Sequence, residues 1–246
     1  MGQTIGILSG KGGTGKTSVC AGLSTALASQ GRSVLCIDCD MGLRNLDISL
    51  GLSECGALSF QEVSEGGYQL SQATRHPYYK NLAFLTAPVS GWAADVDADA
   101  FGQLLRRARE EFDYVLLDAP AGVDAGFQLA ARFAGRVIIV TGADPAAVRD
   151  ASRAGEILEL MGKTDVRLIV NRVQEKLLSG MGLTVDDVMD SAGLPLLGLV
   201  PEDHNVLLAA AFGAPVLNYS PRTPAAKAFR AIANRIQGIQ APLTIR

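Results

Sequence analysis

The sequence predicts an α/β fold: an open, mostly parallel twisted β-sheet with helices on both faces, in three layers. Two observations carry this. Short apolar, β-branched runs recur along the chain, and several are hydrophobic at nearly every position, as in strands covered on both sides. Between them lie longer segments with helical spacing, and strict alternation of the two builds a sheet with right-handed crossovers. In chain order, Thr4–Leu8 is the first strand. Thr17–Gln30 is a helix carrying Val19, Leu23 and Leu27, with Gly31 as its stop. Strands follow at Val34–Asp38 and Leu82–Thr86. Asp99–Phe112 is a helix, with Phe101, Leu104, Leu105, Ala108 and Phe112 on one side. Strands Tyr114–Asp118 and Val137–Val140 precede a helix at Ala146–Met161, which carries Val148, Ile157 and Leu160. Strands Arg167–Asn171 and Leu196–Val200 and a last helix, Pro224–Gln237, complete the set.

The chain has 246 residues, 48% hydrophobic and 19% charged, with a net charge of −3. That excludes disorder, and no apolar run approaches the ~20 residues of a membrane span. The start, MGQTIGILSG, lacks the basic-then-apolar pattern of a signal peptide, so the cytoplasm is the expected location. No linker or repeat divides the chain, so residues 1–246 are expected to form one domain, with 238–246 as a short tail. Cys20, Cys36, Cys39 and Cys55 all fall in the first quarter. Cys36 and Cys39 form a C-x-x-C, open to a redox or metal role. Strand residues three apart point to opposite faces, and no second cysteine pair exists to complete a metal site, so a structural role is expected. His76 and His204 receive none.

The strongest motif is Gly10-Lys11-Gly12-Gly13-Thr14-Gly15-Lys16-Thr17, which satisfies G-x-x-x-x-G-K-[ST] between a strand and a helix. The glycines let consecutive backbone N–H groups face one anion, and the helix start adds about half a positive charge. Lys16 is placed to reach β- and γ-phosphates, and the Thr17 hydroxyl to sit on Mg²⁺. Asp38, Asp40 and Asp118 lie at or just past strand C-termini, where ligands bind in an open parallel sheet. Three carboxylates there suit magnesium and an attacking water.

Lys11 is not needed by an ordinary loop of this kind. With it, the loop resembles the deviant Walker A loop of the MinD/ParA family of ATPases. The resemblance spans nearly the whole chain: Ile37–Asp47 is similar to the switch I segment, Asp118–Gly122 to the switch II segment, and Val148-Arg149-Asp150 to a V-R-D of the MinD branch. It implies ATP and Mg²⁺ as ligands and a P-loop ATPase fold. It implies catalytic roles for Lys11, Lys16 and Asp40. Nucleotide contacts are implied for Gly10, Lys11, Gly12, Gly13, Thr14, Gly15, Lys16, Thr17 and Ser18, with Asn171, Arg172, Pro201, Glu202 and Asp203 around the base. Thr17, Asp38 and Asp118 would serve the metal. In the family the early lysine reaches phosphates bound by the partner subunit, so an ATP-dependent homodimer is expected. Two empty subunits would oppose lysines at one interface, about 4 kcal/mol per close pair near a dielectric of ~20, and triphosphates reverse the sign. The resemblance further implies control of septum placement, with a septum inhibitor and an ATPase activator as partners. Arg149 and Asp150 are partner-contact candidates or an ordinary helix-start pair. Alternatives are a ParA-like partition ATPase, a flagellar-number regulator, an iron–sulfur carrier (which needs cysteines later in the chain) and a metabolic ligase or kinase.

The family's usual C-terminal amphipathic anchor is not seen. After the last helix the tail contains Pro242 and one charged residue, Arg246. A place at the inner face of the membrane is therefore open, and DNA binding is not expected of an acidic chain. The last helix sets Phe229, Ile232, Ala233 and Ile236 on one side, and Lys227, Arg230 and Arg235 on the other. No Asp or Glu follows Asp203. A solvated basic face is the plain reading, and an anionic partner, lipid or DNA, the sharper one.

Overall fold

The computed structural model describes every residue except 90, 92, 181, 183 and 244–246, and all side chains but those of 175, 177 and 178 in addition. Arg246 thus lies outside the described residues. Eight strands form one sheet: β1 Gln3–Leu8, β2 Val34–Asp38, β3 Thr74–Arg75, β4 Leu82–Leu85, β5 Tyr114–Asp118, β6 Arg136–Thr141, β7 Val166–Val173 and β8 Leu196–Pro201. Their order is β3-β4-β2-β5-β1-β6-β7-β8, and only β3 runs antiparallel to its neighbour. The helices are α1 Lys16–Ser29, α2 Leu46–Leu50, α3 Phe60–Ser64, α4 Ala98–Glu111, α5 Ala125–Phe133, α6 Pro145–Leu160, α7 Glu175–Gly180, α8 Val185–Ala192, α9 His204–Ala211, α10 Val216–Tyr219 and α11 Pro224–Ile236. The seven expected strands are present, β2 and β5 with the expected ends and the others with ends moved by one or two residues. The two-residue β3 was not expected, because so short a run leaves no period to read.

β1 is central. It pairs with β5 through Ile5–Leu116 and with β6 through Ile5–Arg136, both in parallel. A parallel sheet buried on both faces needs apolar residues at every position, and β2 is buried throughout. Two cores result. One face packs Leu35, Ile37, Leu117 and Ile139 against Phe101 and Phe127. The other packs Ile5, Ile7, Cys36 and Phe84 against α1 and α11. Cys36 and Cys39 fall in different cores, as the strand reading requires.

α1 is enclosed by sheet and helices, which its small residues permit. A Cβ at Gly22 would stand 2.6 Å from the Phe229 ring, itself 1% exposed. Gly22→Ala should therefore lower stability by about 1–3 kcal/mol. Urea unfolding reads this, and an unchanged midpoint would show that α11 moves away freely.

His76 ties the α2 end to the turn before β4. Its Nε2–H donates to the Leu50 carbonyl (3.0 Å), while Nδ1 accepts from Tyr78 N (3.1 Å) and Tyr79 N (3.2 Å). Burial holds its pKa below the ordinary 6.5. A lowered folded pKa means that the unfolded chain binds the proton more readily, so this contribution is complete above 6.5 and is lost as pH falls. Against His76→Gln, the stability advantage of the wild type should shrink below pH 6.5. A constant difference across that range would disprove the neutral, twofold acceptor ring.

α11 corrects one expectation. Lys227 is exposed, but Arg235 does not belong to a solvated basic face. Its guanidinium donates to Leu197 O at 2.7 Å and to Ala241 O at 2.7 Å, tying β8 to the tail. The helical wheel shows only which side Arg235 takes. It does not show that the chain folds back over that side.

Candidate functional site

The glycine-rich loop joins β1 to α1 at the C-terminal edge of the sheet. Gly13 and Gly15 adopt positive φ angles of 79° and 82°. A Cβ at Gly13 meets nothing within 4 Å, so the loop opens outward there. Gly15 is required twice, because a Cβ would also lie 2.2 Å from Asn171 Nδ2. No side chain caps the start of α1, so its first N–H groups remain available to an anion. Behind the loop, a Cβ at Gly10 would stand 2.3 Å from the Asp150 carbonyl, so α6 is its floor. Arg149 is exposed on the same helix.

Lys16 is buried and pairs with Asp118 at 3.0 Å, with side chains 7% and 1% exposed. Burial works against the Lys16 ammonium, yet the Asp118 carboxylate outweighs it and holds its pKa above the usual value. Burial pushes the Asp118 carboxyl up, opposed by Lys16 and by the Thr17 hydroxyl. Asp38 sits at the same edge. Burial first, then the Asp118 charge, push it up to about 7, against backbone N–H donors that pull it down. Its Oδ1 accepts from Asp40 N (2.8 Å) and its Oδ2 from Leu46 N (3.1 Å), so one carboxylate staples both ends of the loop over 40–46. Within that loop Asp40 accepts from Gly42 N and Leu43 N, both at 3.1 Å.

A cavity of about 370 Å³ lies over the loop, lined by Lys11, Gly12, Gly13, Thr14, Gly142–Ala143, Asp144, Asn171, Arg172, Gln174 and Glu202. Asn171 donates to Thr14 O (2.8 Å) and Arg172 to Gly13 O (3.2 Å), so the two brace the loop as well as bordering the cavity. Arg172 does so from a left-handed backbone, φ 55°, a strain that surrounding structure must hold. Of the residues expected around a base, Glu202 lines the cavity. Pro201 is buried at the end of β8, and the Asp203 carboxylate accepts from Asn205 N (3.0 Å) and Ala225 N (3.2 Å), at the starts of α9 and α11. Ser18 lies inside the first turn of α1 and does not border the cavity.

Sequence reasoning missed Asp144. Its carboxylate caps α6 through Ala147 N (3.0 Å) and pairs with Lys11 Nζ at 3.2 Å. The Ala147 N–H, then Lys11, hold its pKa below the usual range, against burial. Asp144-Pro145 is a readable helix start. The meeting with Lys11, 133 residues away, is not readable.

The residues fit a nucleotide phosphate chain. The loop cradle is open, the α1 N-terminus is uncapped, and Thr14 Oγ1 is buried with no partner. Fold and loop together define a P-loop nucleotide-binding protein with an additional lysine at the loop entrance. Residues 5–216 match the CobQ/CobB/MinD/ParA nucleotide binding domain. The chain belongs to this family and is a MinD-type ATPase that uses ATP and Mg²⁺. It is 37% identical over 250 residues to the septum site-determining protein MinD of Bacillus subtilis, covering 100% of this chain and 92% of that one. It superposes on MinD in the MinC:MinD cell division complex of Aquifex aeolicus with TM-score 0.90, 33% identity and 98% of each chain covered. MinD of Pyrococcus horikoshii, solved with Mg-ADP, gives TM-score 0.83 at 29% identity over 96% of each chain.

Proposed function

We propose that this ATPase is a dimerising switch in which ATP joins two subunits through Lys11, and that it controls where the division septum forms. The observation that carries this reading is the state of Lys11. It stands at the cavity rim, paired among the described residues with a half-exposed carboxylate, whereas Lys16 is buried beside Asp118. Surface pairs of the Lys11 kind contribute about 0–1 kcal/mol, so phosphate oxygens can take Lys11 from Asp144 at little cost.

In this reading Gly10–Ser18 bind the phosphates through backbone N–H groups, with Lys16 on the β- and γ-phosphates. Asn171, Arg172, Pro201, Glu202 and Asp203 border the base, and Asp203 also holds the starts of α9 and α11 in place. Thr17 and Asp118, with Asp38 behind them, would hold a magnesium ion, which when bound would supply positive charge to the phosphate oxygens. Asp40 orients the attacking water once its carboxylate turns away from the Gly42 and Leu43 N–H groups. Lys11 from the second subunit stabilises charge developing on the transferred phosphoryl group, as a cation given in trans.

The septum role is supported by the relatives that span the chain, and a regulatory protein partner by the MinC:MinD cell division complex of Aquifex aeolicus. The partition and flagellar-number readings are not favoured by these relatives. No helix among the described residues is long and apolar enough to cross a membrane. The division role of the relatives supports a cytoplasmic protein, with a peripheral place at the inner membrane face left open. Microscopy of cells lacking the protein tests the role: septa should move from their normal position, and unchanged placement would refute it.

A further inference from the structure

We propose that Asn171 and Arg172 are positioning residues for the phosphates: they turn two peptide units of the loop so that the Thr14 and Gly15 N–H groups face the anion. This rests on the reading of the loop as a phosphate cradle, and it goes beyond the base contact that the family resemblance implies for the pair.

β7 is irregular where the two residues stand. Its pairing with β8 runs from Val170–Leu199 to Val173–Pro201, so three steps of β7 face two of β8. One residue is extra, which makes a bulge at 171–172, and a bulge re-aims side chains. In a regular strand adjacent side chains point to opposite faces. Here Arg172 takes a left-handed φ of 55°, and both side chains reach the same loop. Asn171 Nδ2 donates to Thr14 O at 2.8 Å, and Arg172 Nη1 donates to Gly13 O at 3.2 Å. Asn171 and Thr14 are both buried, so the first of these bonds is shielded from water. Strain of the Arg172 kind gathers where function requires a particular geometry.

The two carbonyls decide the direction of two donors. A trans peptide is planar, with its C=O and the following N–H pointing opposite ways. Holding the Gly13 carbonyl on Arg172 therefore turns the Thr14 N–H away from β7. Holding the Thr14 carbonyl on Asn171 does the same for the Gly15 N–H. Successive N–H groups on one side of a loop make an anion-binding concavity. Gly13 and Gly15, at φ 79° and 82°, permit this backbone but do not select it. Selection needs a donor behind each peptide unit. At Gly15 those donors stand close: a Cβ would lie 2.2 Å from Asn171 Nδ2 and 3.8 Å from Arg172 Nε. A base contact alone would require neither hydrogen bond.

The test is calorimetric titration of the full chain with ADP and with inorganic tripolyphosphate, a phosphate chain that carries no base. Asn171→Ala and Arg172→Gly should each bind both ligands about tenfold more weakly, by the same factor for the two ligands. Arg172→Lys keeps a donor at that place and should stay within about twofold of the wild type. Glycine accepts a φ of 55° without strain. Arg172→Gly should therefore resist urea at least as well as the wild type, which a merely structural role would not allow. Variants that lose ADP but hold tripolyphosphate as tightly as the wild type would overturn the proposal, because that is the result of a base contact alone. So would an Arg172→Gly chain that loses urea resistance together with binding, or a wild type that binds ADP but not tripolyphosphate. A wild type that binds neither ligand would refute the phosphate-cradle reading itself, and the proposal with it.

Discussion

Lys11→Ala should abolish ATP turnover while leaving nucleotide binding by the single subunit nearly intact. A cation supplied in trans to a phosphoryl-transfer site is worth about 10³–10⁵ in rate, so phosphate release should fall at least a thousandfold. Ground-state binding should change far less. Lys11 has a side chain 37% exposed and, among the described residues, pairs with Asp144, whereas the loop backbone, the α1 start and Lys16 remain. The fold should also be untouched, because an exposed ion pair contributes about 0–1 kcal/mol. The same magnitudes make Asp144 a holding partner for Lys11 that is readily given up. Phosphate-release assays and equilibrium binding of a fluorescent nucleotide separate the two effects. Parallel loss of both, or loss of neither, would contradict the assignment.

Lys16→Ala should behave in the opposite way, damaging the fold and the binding together. The Lys16–Asp118 pair is buried, 3.0 Å long. Removing one member of such a pair leaves an uncompensated charge and costs about 3–5 kcal/mol. Asp118 already has its pKa raised by burial, so in the variant it takes up a proton more readily, and the loss of stability should grow as pH rises. Losing a charge-assisted contact to phosphate should weaken nucleotide binding about ten- to a hundredfold. Lys16→Ala/Asp118→Asn should recover much of the stability, since no carboxylate remains to be buried alone, without recovering the binding. Urea denaturation of the two variants reads this, and a double variant no more stable than the single one would count against the buried-pair account.

Long, periodic features were legible in the sequence. The core strands announce themselves as continuous apolar runs, and the loop Gly10–Thr17 gives both its residue types and its setting. Short elements were not: α2, α3 and α10 span four or five residues and are held by packing, which leaves no repeat to detect. Contacts between distant segments were equally hidden. Nothing near Asp144 marks it as the partner of Lys11, and nothing near Arg235 marks it as a tie to Leu197 and Ala241. At Asp203 the resemblance implies a base contact, whereas its hold on the starts of α9 and α11 depends on the approach of α11 and has no local mark in the sequence.

Light scattering of the wild-type chain and Lys11→Ala, each with ADP and with a non-hydrolysable ATP analogue, bears most directly on the switch. The wild type should double in mass with the analogue and remain single with ADP, and crosslinks should then place its Lys11 against the second subunit's phosphates. A wild type that binds the analogue yet keeps its mass, with Lys11 still on Asp144, would contradict the account.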